Sequence, residues 1–163
     1  MPNKNNTKLT AKPGELQVII KRTFDAPRNL VFETFADPIH ISQWWGPRSL
    51  ENKIEKMEVR IGGIWRIIQR SPEWKTFGFH GVYHEVVSPE RIVRTFEFEV
   101  VPGQVALEMV ILENINGKTM MTNTAVFQSV EDRDGMISSG MESGMNESYE
   151  RLDKLLENMK NHK

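Results

Sequence analysis

The C-terminal part of the chain, from Asp134 to Lys163, has the clearest helical pattern of hydrophobic positions. Apolar residues recur there at steps of three and four, which places them on one side of a helix, with polar residues on the other. The pattern predicts a long amphipathic helix whose apolar side packs against the rest of the protein. The apolar positions are Met141, Met145, Leu152, Leu155, Leu156 and Met159.

Two glycines and a serine interrupt this helical pattern. Gly140 and Gly144 are one turn apart, and Ser148 lies among the apolar positions. A glycine inside a helix costs about 1 kcal/mol relative to alanine, so its presence needs a reason. Either the helix backbone approaches a sheet closely here, or the missing side chains leave an empty space over the sheet. Both interpretations place the helix across the face of a sheet.

Upstream of this helix, the hydrophobic pattern is that of strands, with alternating apolar positions and many β-branched residues. Glycine and proline separate the runs, and Asn116-Gly117 is the strongest hairpin signal among them. Connections this short imply an antiparallel meander. The first strand must pair at one edge of the meander, and the sequence leaves open which edge. We expect strands at residues 16–25, 50–60, 64–71, 75–88, 91–100, 105–115 and 118–128.

Two short helices are predicted between the first strand and the meander. Asp25 can cap the first of them, with Pro27 in its first turn, and Asp37-Pro38 ends it. The second covers residues 39–45 and stops at Gly46-Pro47. After the meander, Ser129 and Asp132 match a capping box, and glycines at 135 and 140 can break the helical region that follows.

The order of elements defines an α+β fold class: a curved antiparallel β-sheet wrapped around a long C-terminal α-helix, with two short helices after the first strand. A length of 163 residues fits one domain, which we place at residues 16–160 after a disordered tail at residues 1–15.

Composition excludes several classes of function. The chain has no cysteine, so thiolate chemistry and disulfides are ruled out, which fits a reducing compartment. A formal net charge of −1 without a basic stripe argues against nucleic acid and membrane surfaces as partners. No apolar run suits a signal peptide or a membrane span. We expect a cytoplasmic protein that is a monomer or a weak dimer.

Motifs for catalysis and for metals are missing from the sequence. It contains no nucleophile elbow and no glycine-rich phosphate loop. His80 and His84 would lie about 13 Å apart along a strand, too far to share a metal ion. His40 is expected at the surface. We therefore assign no catalytic residue, no metal ligand and no cofactor.

Two strand arginines are the most informative polar residues. Arg94 and Arg66 each alternate with apolar neighbours, so each can face either the interior or water. An arginine facing a cavity needs a carboxylate partner or an anionic ligand. Glu108 and Glu97 are candidates for that partner. Asn123 and Ser148 can supply further polar groups to such a cavity.

Aromatic and methionine side chains can line a pocket for a small molecule, or they can simply form the core. Trp44 and Trp45 are adjacent and cannot point the same way. We expect one of them to anchor its loop and the other to reach the mouth of a pocket.

Five sequence motifs, in order along residues 16–160, resemble the activator-of-Hsp90-ATPase-like branch of the START-like, or Bet v 1-like, superfamily. The resemblance implies the helix-grip fold, in which a cavity lies between the curved sheet and the last helix. The motifs are Phe24-Asp25-Ala26-Pro27 with Val31-Phe32, Asp37-Pro38 with Trp44-Trp45-Gly46-Pro47, Gly62-Gly63-Ile64-Trp65-Arg66, Gly81-Val82-Tyr83-His84-Glu85-Val86 with Pro89-Glu90-Arg91-Ile92-Val93, and Arg133-Asp134-Gly135-Met136 with Gly140-Met141 and Gly144.

The leading hypothesis is a non-enzymatic protein that holds a small apolar or amphipathic molecule in this cavity. The resemblance also implies a second hypothesis, a partner of an Hsp90-type chaperone, although the family members that stimulate Hsp90 carry an additional upstream domain where this sequence has residues 1–15. A third is a cyclase- or hydrolase-type enzyme, which would need two polar residues with perturbed ionisation in the cavity. The expected ligand-binding residues are Trp44, Trp45, Trp65, Phe79, Tyr83, Arg94, Phe96, Met109, Asn123, Met141, Gly144, Met145 and Ser148.

Overall fold

A computed structural model describes residues 7–162 and has the predicted α+β layout. Eight antiparallel strands form one curved sheet in the order β1-β2-β8-β7-β6-β5-β4-β3. The strands are β1 (Lys8–Thr10), β2 (Gln17–Phe24), β3 (Glu51–Met57), β4 (Ile64–Arg70), β5 (Thr76–Val87), β6 (Arg91–Phe98), β7 (Val105–Ile115) and β8 (Lys118–Val126). The helices are α1 (Arg28–Ala36), α2 (Pro38–Trp44), α3 (Val130–Met136) and α4 (Glu142–Asn161), with a π-helical turn (Ile137–Met141) between α3 and α4.

The six-strand meander from β3 to β8 is confirmed. Asn116 and Gly117 both have positive φ, at 53° and 85°, which is the two-residue turn that their sequence predicts. The first predicted strand is β2, and it pairs with β8, so it extends the meander at that edge. The prediction that it pairs at an edge is therefore confirmed.

The N-terminal segment differs from the prediction of a disordered tail at residues 1–15. Lys8–Thr10 forms β1, which pairs with β2 from Lys8 opposite Lys21 to Thr10 opposite Ile19. The half-buried side chain of Leu9 packs against the core. A three-residue strand is too short to show a periodic pattern, so the sequence contains no signal for it. Residues 1–6 of the predicted tail lie outside the described residues.

The predicted helix cap is confirmed at Ser129 and is wrong at Asp25, and the predicted end of α1 at Asp37 is confirmed. Ser129 Oγ accepts a hydrogen bond from the Asp132 amide at 3.0 Å, as the capping motif predicts. Asp37 ends α1 and caps α2 by accepting from the amide of Ile39. The predicted cap at Asp25 is wrong, because Pro27 occupies the capping position of α1 without a side-chain bond.

The C-terminal helical region consists of two helices joined by the π-helical turn. Gly140 leaves the helical conformation with φ of 93°, which confirms the predicted break there. Gly135 lies inside α3, so the break predicted at that glycine is wrong. Leu152 and Leu156 are buried in the core, which lies between α4 and the concave face of the sheet.

Candidate functional site

A partly open cavity of about 220 Å³ lies between α4 and the concave face of the sheet, with α1 and α2 on one side. Eight of the thirteen residues expected to bind a ligand line this cavity. They are Trp44, Trp45, Tyr83, Arg94, Asn123, Met141, Met145 and Ser148.

The other five expected residues lie elsewhere. Trp65 is buried beneath the cavity wall, and Phe79 and Phe96 line a second cavity. Met109 lies on the convex face, because its neighbours Glu108 and Val110 both point into the cavity and strand side chains alternate. Gly144 does not line the cavity.

Strand register brings the polar residues of the cavity together. Tyr83 on β5 lies opposite Arg94 on β6, and Arg94 lies opposite Glu108 on β7. Directly paired residues in an antiparallel sheet share a face, so these three side chains form one row across three strands. Asn123 on β8 belongs to the adjacent row, opposite Val110. Neighbouring rows allow diagonal contact, which joins Asn123 to Glu108.

A buried ion pair occupies the centre of this polar row. Arg94 Nε donates to Glu108 Oε1 at 2.7 Å, and Asn123 Nδ2 donates to Glu108 Oε2 at 3.2 Å. The guanidinium carbon of Arg94 lies 4.0 Å from the centre of the Trp65 ring. Of the two interpretations of Arg94, the one with a carboxylate partner facing the cavity is correct.

A glycine opposite Trp65 makes room for the ring that supports Arg94. Gly81 on β5 pairs with Trp65 on β4. A side-chain carbon at Gly81 would lie 1.9 Å from the carbonyl oxygen of Thr95 and 2.6 Å from Trp65 Nε1. Trp65 Nε1 donates to that same carbonyl at 3.2 Å. A side chain at position 81 would therefore displace the indole from beneath Arg94.

Two tyrosines complete the polar wall of the cavity. The hydroxyl of Tyr83 is buried beside the Arg94 guanidinium, and its own hydrogen has no acceptor among the described residues. Burial raises the pKa of Tyr83, against the opposing effect of the positive charge on Arg94. Burial also raises the pKa of Tyr149, and the negative charge of Glu108 adds to that increase. Both phenols therefore stay neutral near pH 7.

Adjacent tryptophans lie at the end of α2 and point to different neighbours. Trp44 Nε1 donates to the carbonyl of Thr34 at 2.9 Å, and its ring stacks on Tyr149. Trp45 packs edge-on against Phe79, with ring centres 5.0 Å apart. Trp44 thus anchors the helix to the core, while Trp45 extends along the sheet.

The loop after Trp45 is attached to α4. The Gly46 amide donates to Ser148 Oγ at 2.7 Å, and Arg151 Nη1 donates to the Gly46 carbonyl at 2.9 Å. Ser148 therefore lines the cavity but uses its oxygen to hold this loop.

The two glycines of the C-terminal region do not mark a close approach to the sheet. Apart from adjacent residues and the backbone of the same helix, no heavy atom of the described residues lies within 4 Å of a side-chain carbon placed at Gly140 or at Gly144. The close-approach interpretation is wrong at both positions, and open space surrounds them.

A second, more open cavity of about 580 Å³ lies between β5, β6 and α3. Phe79, Phe96 and Phe98 supply much of its apolar wall, and Met136 lies on the helical side. Trp45 lines the first cavity and contacts Phe79 and Phe96 of the second. Its ring therefore lies next to the aromatic wall of the second cavity.

The other predicted charged residues lie outside the cavity. Arg66 faces the convex side of the sheet, where it bonds Glu55 and Glu99, so the water-facing interpretation is correct for this arginine. Glu97, a candidate partner for a cavity arginine, instead lies 3.2 Å from His80. Within residues 7–162, no group of His, Asp and Glu side chains could hold a metal ion.

Sequence reasoning missed six apolar or aromatic residues of the cavity lining. Tyr149 carried a usable signal, because it lies on the same helical stripe as Met145 and Leu152. The other five lie in apolar segments, and strand register or helix packing decides which of their side chains point into the cavity. The six are Ile20, Phe35, Ile41, Ile92, Val110 and Tyr149.

The family model described as activator of Hsp90 ATPase homolog 1-like protein matches residues 25–157, which is most of the chain. This protein belongs to that family. The resemblance seen in the five sequence motifs is thereby confirmed, and so is the helix-grip fold. Among curated proteins, none matches the chain.

Solved structures of bacterial proteins share the fold of this family member. A protein from Arthrobacter aurescens is 26% identical with a TM-score of 0.85, over 93% of this chain and 91% of that chain. A protein from Rhodobacter sphaeroides is 23% identical with a TM-score of 0.85, over 93% and 99% of the two chains. Protein Ms6760 from Mycobacterium smegmatis is 20% identical with a TM-score of 0.83, over 92% and 96%. None of the helices in the described part of this chain is long and apolar enough to cross a membrane.

Proposed function

We propose that this protein binds a small amphipathic molecule in the cavity between the sheet and α4, without catalysing a reaction. The observation that carries the proposal is the buried polar row of Tyr83, Arg94 and Glu108 on one wall of an otherwise apolar cavity. An apolar space with a few converging polar groups is the usual character of a small-molecule site.

The ionisation of the cavity residues favours binding over acid–base catalysis. Burial lowers the pKa of Arg94, but the combined interactions with Glu108 and Tyr83 raise it by more, so Arg94 keeps its proton near pH 7. Tyr83 and Tyr149 are likewise held in their protonated forms. Both oxygens of Glu108 already accept hydrogen bonds. A general acid or base works best when its pKa lies near the working pH, and these groups do not offer that.

The experiment is a thermal-shift screen of purified protein against small aromatic acids, fatty acids, sterols and isoprenoids. A ligand at 100 times its Kd adds about 2.7 kcal/mol to the free energy of unfolding, which raises the Tm by about 5–11 °C. Tm shifts should be confined to one chemical class. A flat response across all classes would contradict the proposal.

Two neighbouring residues of β7 provide a matched pair of variants for this screen. Val110→Phe places a ring in the cavity, and Met109→Phe places one on the convex face. We expect Val110→Phe to abolish the ligand-induced Tm shift and Met109→Phe to retain it. Circular dichroism of both variants confirms that they are folded before the shifts are compared.

Membership of the family carries a second candidate function, binding to an Hsp90-type chaperone. The measurement is a pull-down with purified Hsp90, followed by an assay of its ATPase rate. Binding at micromolar concentration that survives Val110→Phe would favour a protein-partner role independent of the cavity. Absence of binding at that concentration would remove this candidate.

A further inference from the structure

Several hydrogen-bond donors on the polar wall of the cavity have no acceptor among the described residues. Among the described residues, the closest hydrogen bond of the Arg94 side chain joins Nε to Glu108 Oε1 at 2.7 Å, and the guanidinium also interacts with the neighbouring Tyr83 hydroxyl. An arginine carries five N–H donors; one N–H of the Nη groups lies alongside Nε–H, and the other three point away from that edge. The hydroxyl hydrogen of Tyr83, a residue that is only 1% exposed, has no acceptor in the described part of the chain.

The carboxylate of Glu108 on this wall is already hydrogen-bonded at both oxygens. Glu108 Oε1 accepts from Arg94, and Glu108 Oε2 accepts from Asn123. Because Glu108 approaches Arg94 through Nε alone, the end of the guanidinium formed by Nη1 and Nη2 remains available. A buried donor without a partner is unfavourable, so this end of the cavity favours a ligand that brings acceptors.

A carboxylate is the group that meets these requirements most fully. It has two acceptor oxygens and no donor, and it can take both Nη groups of an arginine in a bidentate arrangement. The second lone pairs of its oxygens remain available for the Tyr83 hydroxyl, which lies across the strand from Arg94. Trp65 beneath the guanidinium holds its plane in place, with the guanidinium carbon 4.0 Å from the ring centre.

The rest of the cavity sets the size and character of the molecule attached to that carboxylate. A volume of about 220 Å³ corresponds to about seven water molecules at about 30 Å³ each. Phe35, Ile41, Met141 and Met145 line the side contributed by the helices, and methionine adapts to ligands of different shape. This space suits a compact aromatic or short aliphatic body.

We propose that the ligand is a small amphipathic carboxylic acid, bound as its carboxylate by the Nη groups of Arg94 and the hydroxyl of Tyr83. This inference rests on the proposed binding function and narrows it to one chemical class. Discrimination comes from the guanidinium, because a carboxylate forms a charge-assisted, bidentate pair with it, which a neutral alcohol or amide of the same shape cannot form.

The test uses two sets of matched probes: 2-naphthoic acid with its primary amide and the corresponding alcohol, and decanoic acid with decanamide and decanol. Kd values are measured by isothermal titration calorimetry at pH 7. We expect each acid to bind at least about tenfold more tightly than its amide and alcohol, the discrimination typical of a hydrogen bond to a charged group.

The double variant Arg94→Gln/Glu108→Gln removes both charges together, so that neither position keeps an unpaired buried charge. We expect this variant to lose the preference for the acids while it still binds the neutral probes. Tyr83→Phe should weaken the acids severalfold and leave the alcohols nearly unchanged. Arg66→Gln/Glu99→Gln makes the same exchange on the convex face and should leave every Kd unchanged.

The outcomes separate the two proposals. Equal affinity for acid, amide and alcohol, or an acid preference that persists in Arg94→Gln/Glu108→Gln, would overturn the carboxylate inference and leave the binding function in place. If no probe of either set binds to the wild-type protein, and the wider thermal-shift screen is also flat, the binding function itself is overturned.

Discussion

The concave and convex faces of the sheet each hold an arginine in the middle of a strand, and the two have different environments. On the concave face, the Arg94 side chain is 10% exposed and its partner Glu108 is 19% exposed. On the convex face, the Arg66 side chain is 36% exposed and lies beside Glu55 and Glu99. Water screens the second cluster but hardly reaches the first.

This difference determines what each ion pair contributes. A buried pair contributes little net stability, but removing one partner leaves a charge without compensation in a poorly solvated place. An exposed pair contributes about 0–1 kcal/mol, because water replaces either partner. Stability alone therefore does not require the concave pair, which is consistent with the binding role proposed for it, and the convex pair contributes little to the stability of the sheet.

Breaking the Arg94–Glu108 pair on the concave face should have the largest effect on the free energy of unfolding. Glu108→Gln removes the charge that compensates Arg94, and we expect it to lower the free energy of unfolding by about 3–5 kcal/mol. Glu99→Gln is the matched change on the convex face and should cost less than about 1 kcal/mol. Urea unfolding followed by circular dichroism at pH 7 measures both. Equal losses in the two variants would contradict the difference between the faces.

Alkaline titration should reveal the burial of the concave face directly. The chain has 2 tyrosines, and both lie in the cavity wall with raised pKa values. The unfolded state loses these protons near pH 10 and the folded state at higher pH. The stability linked to the phenols is therefore present below pH 10 and is lost as the pH rises above it.

Ultraviolet absorbance of tyrosinate measures this prediction. The folded protein should show no tyrosine ionisation near pH 10, whereas protein in urea should show both residues ionising there. Tyr83→Phe halves the signal in urea and identifies the remaining group. Ionisation of the folded protein near pH 10 would show that the cavity wall is open to solvent.

Removing the convex arginine should have a smaller effect that depends on salt. Arg66→Ala should lower the free energy of unfolding by less than about 1 kcal/mol at low ionic strength, because Arg66 is half-exposed. At about 1 M salt, screening over about 3 Å should remove most of that difference. Denaturation at the two ionic strengths provides the comparison, and a loss of several kcal/mol that salt does not change would be inconsistent with an exposed pair.

The smallest effect on stability is expected from acid titration of Glu99, which lies beside Arg66 on the convex face. Arg66 and His80 hold the pKa of Glu99 down at about 2, from an ordinary value of 4.5. Because the folded-state pKa is depressed, the stability from Glu99 is present above pH 4.5 and is lost as the pH falls towards 2. The difference in unfolding free energy between wild type and Glu99→Gln should shrink by a fraction of about 1 kcal/mol over that range. A constant difference would mean that Glu99 is not held by its neighbours.

Local signals explain why much of the fold could be predicted. The Asn116-Gly117 turn, the cap at Ser129 and the break at Gly140 each depend on the conformation or bonding of a few adjacent residues. The antiparallel meander followed from short connections, and the long helix followed from its apolar stripe. The strand β1 could not be found, because three residues paired through their backbones have no pattern in their side chains.

Contacts between distant segments explain why the candidate site was only partly predicted. Arg94 and Arg66 have the same alternating neighbours in sequence, yet they face opposite sides of the sheet. A β-bulge between Tyr83 and Glu85 changes the alternation along β5, and no sequence signal marked it. A shift of one residue in strand register moves every side chain to the other face of the sheet. The face on which a side chain lies therefore cannot be derived from alternation alone.

The sequence by itself determined the order of elements, the helix-grip family and the residue types available to a cavity, because these depend on local conformation and on motifs. Only the tertiary structure decided that Tyr83, Arg94 and Glu108 form one row, because three strands must pair in register to bring them together. It also decided that Trp65 lies beneath Arg94, since the opposite strand presents Gly81 there and leaves room for the ring.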